Sequence, residues 1–415
     1  MVKTYVDPIM ATNIPDDWDL VSLGDCVKER LSYGVNAPAV PYNNNYPRYI
    51  RITDITEDGQ YDDNNKRSVI TNEAERYTLK QGDIVLARTG ASTGKSYMYN
   101  EKDGKLVYAG FLIKASVETN KYNSRFVVAQ LRTKRYWNWV SSISMRSGQP
   151  GINGKEYASF LLPVAPKPEQ DKIADILISL DAYVDDLSEL IEKKKSIRDG
   201  ALEDLISGKT RITGFSSERK EYSINDITRT VITGGTPSTA REEYYGGDIP
   251  WLASTEIHQK RITKPTTYIT ELGLNNSSAK IAPENSVLIA LAGQGKTRGT
   301  AAYLTKPMAL NQSLAALVTN EKCNPEFLYY LIESMYLPLR ELSSGDGGRG
   351  GLNKKLIKGV LVTIPVDVNE QRAIADTLLA MDDEIRNLET EREKIIQIRE
   401  GAMDDLLTGR VRLTT

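Results

Sequence analysis

The sequence predicts a mixed α/β (α+β) chain in which two globular domains are joined by two long antiparallel helices of coiled-coil type, with pseudo-twofold symmetry. Three observations predict this. The segment 169–213 returns without a gap at 370–414, at a constant offset of 201 residues and with 19 of 45 positions identical. That period is too long for a solenoid and implies two complete domains, each followed by a copy of one helix. Inside the copies, apolar residues recur at alternating spacings of four and three, the seam of a coiled coil. Between them, β-branched runs bounded by Gly, Asn and Pro read as strands.

In chain order, residues 1–167 form the first domain, 168–208 the first helix, 209–368 the second domain, 369–409 the second helix and 410–415 a tail. In the first domain 48–55, 83–88, 96–99 and 106–117 are expected strands, followed by a helix over 122–143. In the second, 249–257, 286–292, 300–304 and 309–318 take the same order, and a helix near 325–342 follows. The first seam runs through Ile173, Leu177, Leu180, Val184, Leu187 and Ile191, and the second through Ile374, Leu378, Met381, Ile385, Leu388 and Ile395. Lys194 and Arg392 interrupt them, either to fix register or to snorkel. Gly208 and Gly409 stand where helix C-caps belong, and Pro168 precedes the first helix. Each helix of about 39 residues measures about 58 Å. Connectivity returns the second helix along the first, so the expected molecule is a dumbbell.

Composition narrows the function. No apolar run approaches the ~20 residues of a membrane span, and the first residues lack a signal-peptide pattern. Cys26 and Cys323 sit at non-equivalent places in the two halves, which argues against a disulfide and fits a reducing, cytoplasmic setting. His258 is the only histidine, so neither a zinc cluster nor a Ser-His-Asp or Cys-His pair of ordinary type is available. The net charge of −2 hides a division. Residues 1–167 carry +4 and 218–368 carry +2, whereas 168–217 and 369–415 each carry −4. The acidity lies on the helices, and the mildly basic domains are compatible with phosphate binding.

Two pairs of loops carry the candidate chemistry. TGASTGKS (89–96) and LAGQGKT (291–297) each follow a strand and end in Gly-Lys-Ser/Thr. Neither is a Walker loop, because Thr89 and Ala290 replace the required glycine and a strand follows instead of a helix. Glycine-rich loops of this kind expose backbone N–H groups to phosphates; ordinary strand-joining turns look alike. The candidate DNA-binding residues here are Arg88, Thr89, Ser92, Thr93, Lys95 and Ser96, with Gln294, Lys296, Thr297 and Arg298 in the second domain. The loops 145–153 and 343–353 mix glycine with Arg146, Gln149 and Asn153, or with Arg349 and Asn353. Arginine bridges guanine O6/N7 and Asn or Gln does the same for adenine. Trp137 and Trp139 either stack on bases or pack internally.

In the helices, Gly200-Ala201 and Gly401-Ala402 interrupt helical patterns. Mid-helix glycine costs about 1 kcal/mol relative to alanine, so two copies point to close approach of another helix, in this chain or a partner. The aspartates Asp175, Asp376, Asp181 and Asp382 read as a solvated face and not as catalytic carboxylates.

These features together resemble a known family. Two divergent domains alternate with helices that open with E-Q-x-x-I-A-D and close with G-A-hydrophobic-x-D-L-hydrophobic-x-G, in both halves. The chain is similar over its whole length to the specificity subunit of Type I restriction-modification systems. The first copy enters through PVAPKPEQ and the second through IPVDVNEQ, a modest departure. The resemblance implies that each domain reads one half of an asymmetric bipartite target in double-stranded DNA. It implies that the helices space the halves and dock two methyltransferase subunits, which restriction subunits can join. S-adenosylmethionine, and ATP with Mg, belong to those partners; this chain is expected to bind no cofactor or metal, to perform no catalysis and to meet no membrane. The rival readings are the specificity component of a related bipartite restriction system, a protein-binding coiled-coil scaffold, and a phosphate-loop enzyme.

Overall fold

The computed structural model describes residues 14–144, 151–293, 295–343 and 351–413. The chain divides into two compact units: Met1–Ser188 with Glu391–Thr415, and Glu189–Thr390. Neither long helix belongs to one unit, since Lys167–Ser207 and Val368–Leu406 each contribute a half to both.

In the first unit an antiparallel sheet orders Ser32–Tyr33, Leu112–Ser116, Asp83–Ala87 and Ser96–Met98. A second sheet orders Ala39–Pro41, Arg67–Val69, Arg48–Ile50 and Leu106–Tyr108, the last two parallel. Every residue of Asp83–Ala87 is buried. Alternation sends Ile84 and Leu86 against helices Ser124–Gln130 and Lys134–Ser144, with Val127, Leu131 and Tyr136. Val85 and Ala87 enter the opposite core, with Ile50, Tyr97 and Tyr108.

The second unit repeats the plan. One sheet orders Thr228–Thr233, Leu314–Thr319, Val287–Ala290, Ala301–Leu304 and Arg261–Ile262; the other orders Thr267–Ile269, Tyr245–Leu252, Met308–Leu310 and Lys280–Ala282. Val287 and Ile289 face one core and Leu288 and Ala290 the other.

Several expectations change. The expected strands 48–55 and 249–257 end at Ile50 and Leu252 and pass into the 3-10 helices Ile52–Asp54 and Ser254–Gln259. Residues 106–117 and 309–318 are not single strands. Each breaks into two, which pass from one sheet to the other. Gly110 N–H bonds Val35 O at 2.8 Å in one crossing, and the Asn311 side chain accepts Ser313 N–H at 3.0 Å in the other; both draw backbone groups out of a ladder. The expected helices also break, into Ser124–Gln130 with Lys134–Ser144 and Pro325–Ser334 with Tyr336–Leu342. Thr133 Oγ1 accepts Tyr136 N–H at 3.3 Å and so starts a new helix.

The long helices run antiparallel within each unit. Asp181 pairs with Arg399 and Tyr183 with Glu391 in the first. In the second, Lys194 meets Glu384 at 2.6 Å, Lys195 meets Glu389 at 2.9 Å and Arg198 meets Asp382 at 2.8 Å. Lys194 is therefore an ion-pair partner, while Arg392 Nε is buried without a hydrogen bond. The seam is less of a pure coil than its spacing suggests. Ile173 and Leu177 pack with Trp18, Phe126, Leu406 and Leu407, and Ile374 and Leu378 with Leu202, Leu205 and Phe327. Leu187, Ile191 and Ile385 are buried, while Leu180, Val184, Met381, Leu388 and Ile395 are half-buried. Gly208 at φ +80° and Gly409 at φ +72° end the helices in the left-handed conformation.

Candidate nucleic-acid interface

The first glycine loop leaves the buried strand Asp83–Ala87 and is tied down from beneath. Tyr157 Oη donates to Ala87 O at 2.6 Å and accepts Gly94 N–H at 3.1 Å, and Tyr136 Oη donates to Gly94 O at 2.7 Å. Gly94 is required twice over. Its φ is +95°, and a Cβ there would lie 2.8 Å from Val140 Cγ1 and 2.9 Å from Trp137 Cζ3. Three predicted contact residues are consumed by this packing. Thr93 is buried, with Oγ1 on Gly90 O at 2.8 Å. Ser96 is buried at the start of its strand. Lys95 turns inward, with Nζ 2.6 Å from Glu57 and 3.4 Å from Ile55 O, so its charge is already matched. Thr89, Ser92 and Arg88 are half-buried. Arg88 lies over the Tyr33 ring, 4.9 Å from its centroid, a neighbour that sequence spacing did not suggest.

The second loop is clamped through its carbonyls. Tyr336 Oη donates to Lys296 O at 3.1 Å and Arg340 Nη1 to Gly295 O at 2.7 Å. Thr297 Oγ1 is 3.2 Å from His258 Nε2, and Arg298 Nη1 donates to Ser343 Oγ at 3.2 Å. Lys296 itself stands exposed. Asn153 and Asn353 are helix N-caps. Asn153 Oδ1 accepts Lys155 and Glu156 N–H at 3.0 Å, and Asn353 Oδ1 accepts Leu356 N–H at 3.0 Å. The adenine fork proposed for them is thus reduced, because the oxygen it needs is used by the backbone. Arg146, Gln149, Gln294 and Arg349 lie outside the described residues.

Trp139 packs on Tyr136, Tyr157 and Phe160, which removes it as a base-stacking platform; Trp137 is more than one-third exposed. The helix glycines are corrected also. A Cβ on Gly200 or Gly401 would meet nothing within 4 Å, so neither lets another helix of this chain approach. Their neighbours do pack inward, Ala201 on the core of the second unit and Ala402 on that of the first.

What the repeat preserves is the closure of each unit. Glu169 accepts Arg412 Nε and Nη2, each at 2.9 Å, Leu413 N–H at 3.0 Å and Trp18 Nε1 at 3.2 Å. The Arg412 hydrogen bonds hold its carboxyl below the usual range, against the opposing effect of burial. At the offset-equivalent place Glu370 accepts Arg211 Nε at 3.0 Å and Ser217 Oγ at 2.5 Å. Gln170 accepts Asn123 N–H at 2.9 Å and donates to Ala165 O at 2.8 Å; Gln371 does the same with Asn324 N–H and Pro365 O, both at 2.8 Å. The Glu-Gln pair opening each repeat, with an arginine near its end, was the sequence signal for this arrangement.

A family model described as the Type I restriction modification DNA specificity domain matches residues 15–197 and again 216–397. The chain belongs to that family. It has relatives that match across both domains. One is the putative type I restriction enzyme MjaX specificity subunit of Methanocaldococcus jannaschii, 25% identical over 97% of this chain and 95% of that protein. Another is the type I restriction enzyme HindI specificity subunit of Haemophilus influenzae, 21% identical over 80% and 87%. The fold is shared with the crystal structure of a Type I restriction-modification S subunit from M. genitalium, at TM-score 0.62, 16% identity and coverage of 95% and 97%. An HsdS subunit from Thermoanaerobacter tengcongensis aligns at TM-score 0.51, 16% identity and coverage of 97% and 99%. Among the described residues, no helix is long and apolar enough to cross a membrane.

Proposed function

We propose that this chain is the non-catalytic specificity subunit of a Type I restriction-modification assembly and reads an asymmetric bipartite sequence in double-stranded DNA. The observation that carries the reading is the pairing of a repeated closure with unrepeated surfaces. Glu169/Gln170 and Glu370/Gln371 hold the two units in the same way, while the glycine loops differ, Lys95 being turned onto Glu57 and Lys296 exposed. A scaffold kept twice with its surface varied is suited to reading two different half-sites. Each surface belongs to a domain of net positive charge, and phosphate contacts position such a domain while base contacts specify.

The acidic long helices, with Gly200 and Gly401 open to approach, are the surface offered to two methyltransferase subunits. Those subunits bring S-adenosylmethionine, and restriction subunits bring ATP with Mg; this chain holds neither. The setting is the prokaryotic cytoplasm. The test is binding and methylation by the purified complex on duplexes whose half-site spacing changes by single base pairs. One preferred spacing is expected. Equal affinity at every spacing, or binding insensitive to salt, would overturn the reading.

A further inference from the structure

The two units can be aligned by their ladders instead of by sequence. Ala87 pairs with Leu112 and Ala290 with Leu314. One residue on, Arg88 N–H bonds Phe111 O at 3.1 Å and Leu291 N–H bonds Ser313 O at 2.8 Å. Ile152 N–H then bonds Arg88 O at 2.9 Å, and Leu352 N–H bonds Leu291 O at 3.0 Å. Arg88 and Leu291 therefore occupy the same place, as do Phe111 and Ser313. Tyr33 pairs with Ile113 and Thr233 with Ala315, so these two also correspond.

At this shared place the units differ completely in chemistry. The second has buried Leu291 with Thr233 and Ser313. The first has an arginine on an aromatic ring, beside Phe111, which is 56% exposed, and Tyr33, 42% exposed. Arg88 has no carboxylate within ion-pair distance among the described residues, and its Nε is buried without a partner. The Tyr33 hydroxyl is itself fixed, accepting Gly154 N–H at 3.0 Å. A guanidinium stacked on a ring keeps its plane and loses little freedom on binding, while its terminal nitrogens still point along that plane. In a domain that binds DNA, an unmatched, planar, two-pronged donor at the rim of the glycine loop has a specific complement: the O6 and N7 acceptors on the major-groove edge of guanine.

We propose that Arg88, oriented by the ring of Tyr33, is the guanine-reading side chain of the first unit, and that the second unit has no counterpart at this place. The proposal rests on the DNA-reading function above. Arg88 selects the base; Tyr33 is a positioning residue.

The experiment selects binders from a randomised duplex library with the complete methyltransferase complex, carrying the wild-type chain, Arg88→Lys, Arg88→Ala, Tyr33→Leu or Tyr33→Phe. A wild-type complex that enriches no bipartite motif would overturn the function itself. Given such a motif, Arg88→Lys, which keeps the charge and loses the fork, is expected to lower the preference at a guanine in one half about ten- to a hundred-fold and leave the other half intact. Tyr33→Leu is expected to weaken the same position, and Tyr33→Phe to retain it. An unchanged motif in both Arg88 variants, or a uniform loss of affinity for all sequences, overturns the proposal, the second outcome assigning Arg88 to a phosphate. Normal assembly and methylation at the unaffected half identify a folded variant.

Discussion

Arg399 of the first unit and Arg198 of the second stand at equivalent places in the repeat, each pairing with an aspartate, and a third neighbour of each is opposite in charge. Arg198 is buried between Asp382 and Glu333, with Tyr330 Oη donating to Asp382 at 2.8 Å. Burial alone would weaken its charge, but the two carboxylates raise its pKa. Arg399 has Asp181, and 201 residues before Glu333 the chain carries Arg132. Burial lowers the pKa of Arg132, whose Nη2 donates to Gly59 O at 3.2 Å and whose Nε finds no partner among the described residues. Duplication thus preserved the arginine–aspartate pair between the helices and left its third member free to change sign. Residues inside the repeat hold the scaffold, and residues the domains add to it set each unit's balance.

The strongest test of that difference is removal of the shared arginine. Arg198→Ala leaves Asp382 without its cation and Glu333 with the exposed Lys260, 3.3 Å away, and is expected to cost the second unit about 3–5 kcal/mol. Arg399→Ala is expected to cost the first unit less, because Arg132 stays to face Asp181. Hydrogen exchange resolved by unit measures both, and equal losses would break the comparison. A smaller effect is expected at the glycine loops. Tyr157→Phe removes the hydroxyl under the first loop, at about 1 kcal/mol, and should raise exchange at Gly94. At the corresponding place in the second unit stands Ile357, fully buried and with no hydroxyl to lose; Ile357→Val is expected to leave the second loop's exchange unaltered.

Acid sharpens the comparison further. Because the folded pKa of Glu169 lies below 4.5, its contribution to stability is complete above the unfolded value and is lost as pH falls through the folded one. Thermal stability of the first unit should therefore fall as pH drops below the ordinary carboxylate range, and Glu169→Gln should flatten that stretch of the profile; an unchanged slope would count against the Arg412 closure. The smallest effect concerns the two lysines. Lys296→Ala is expected to reduce the salt dependence of DNA binding by about one unit of log–log slope, the value of one phosphate contact. Lys95→Ala should not, since Glu57 already neutralises it.

The two long helices were legible because a gapless duplication and a four-three apolar spacing are both local signals, readable without knowing what the helices touch. Partners were not legible. Ile173 and Leu177 read as seam residues, but Phe126 and Leu407 against them come from 47 positions before Ile173 and 230 after Leu177. The glycine loops were located by composition, yet Lys95 and Lys296 read alike and point differently, because the inward turn of Lys95 depends on Glu57 from a separate loop. Asn153 and Asn353 read as base contacts because a helix N-cap and an adenine fork use the same amide. Arg88 was visible as a basic loop residue; the ring beneath it was not, since Tyr33 lies on another strand of the sheet.

The carboxylate of Glu169 finds its guanidinium 243 positions downstream, whereas Glu370 finds Arg211 159 positions upstream. On a ribosome these two distances become an order of events. All residues of the second unit have been made once synthesis reaches 390, before those of the first. The first unit, begun earlier, must wait with Trp18, Phe126 and Glu169 uncovered until 391–413 have emerged. The domain translated first is completed last, and a chain cut short between 390 and 406 holds every residue of the second unit but leaves the first with its apolar floor open to chaperones and proteases.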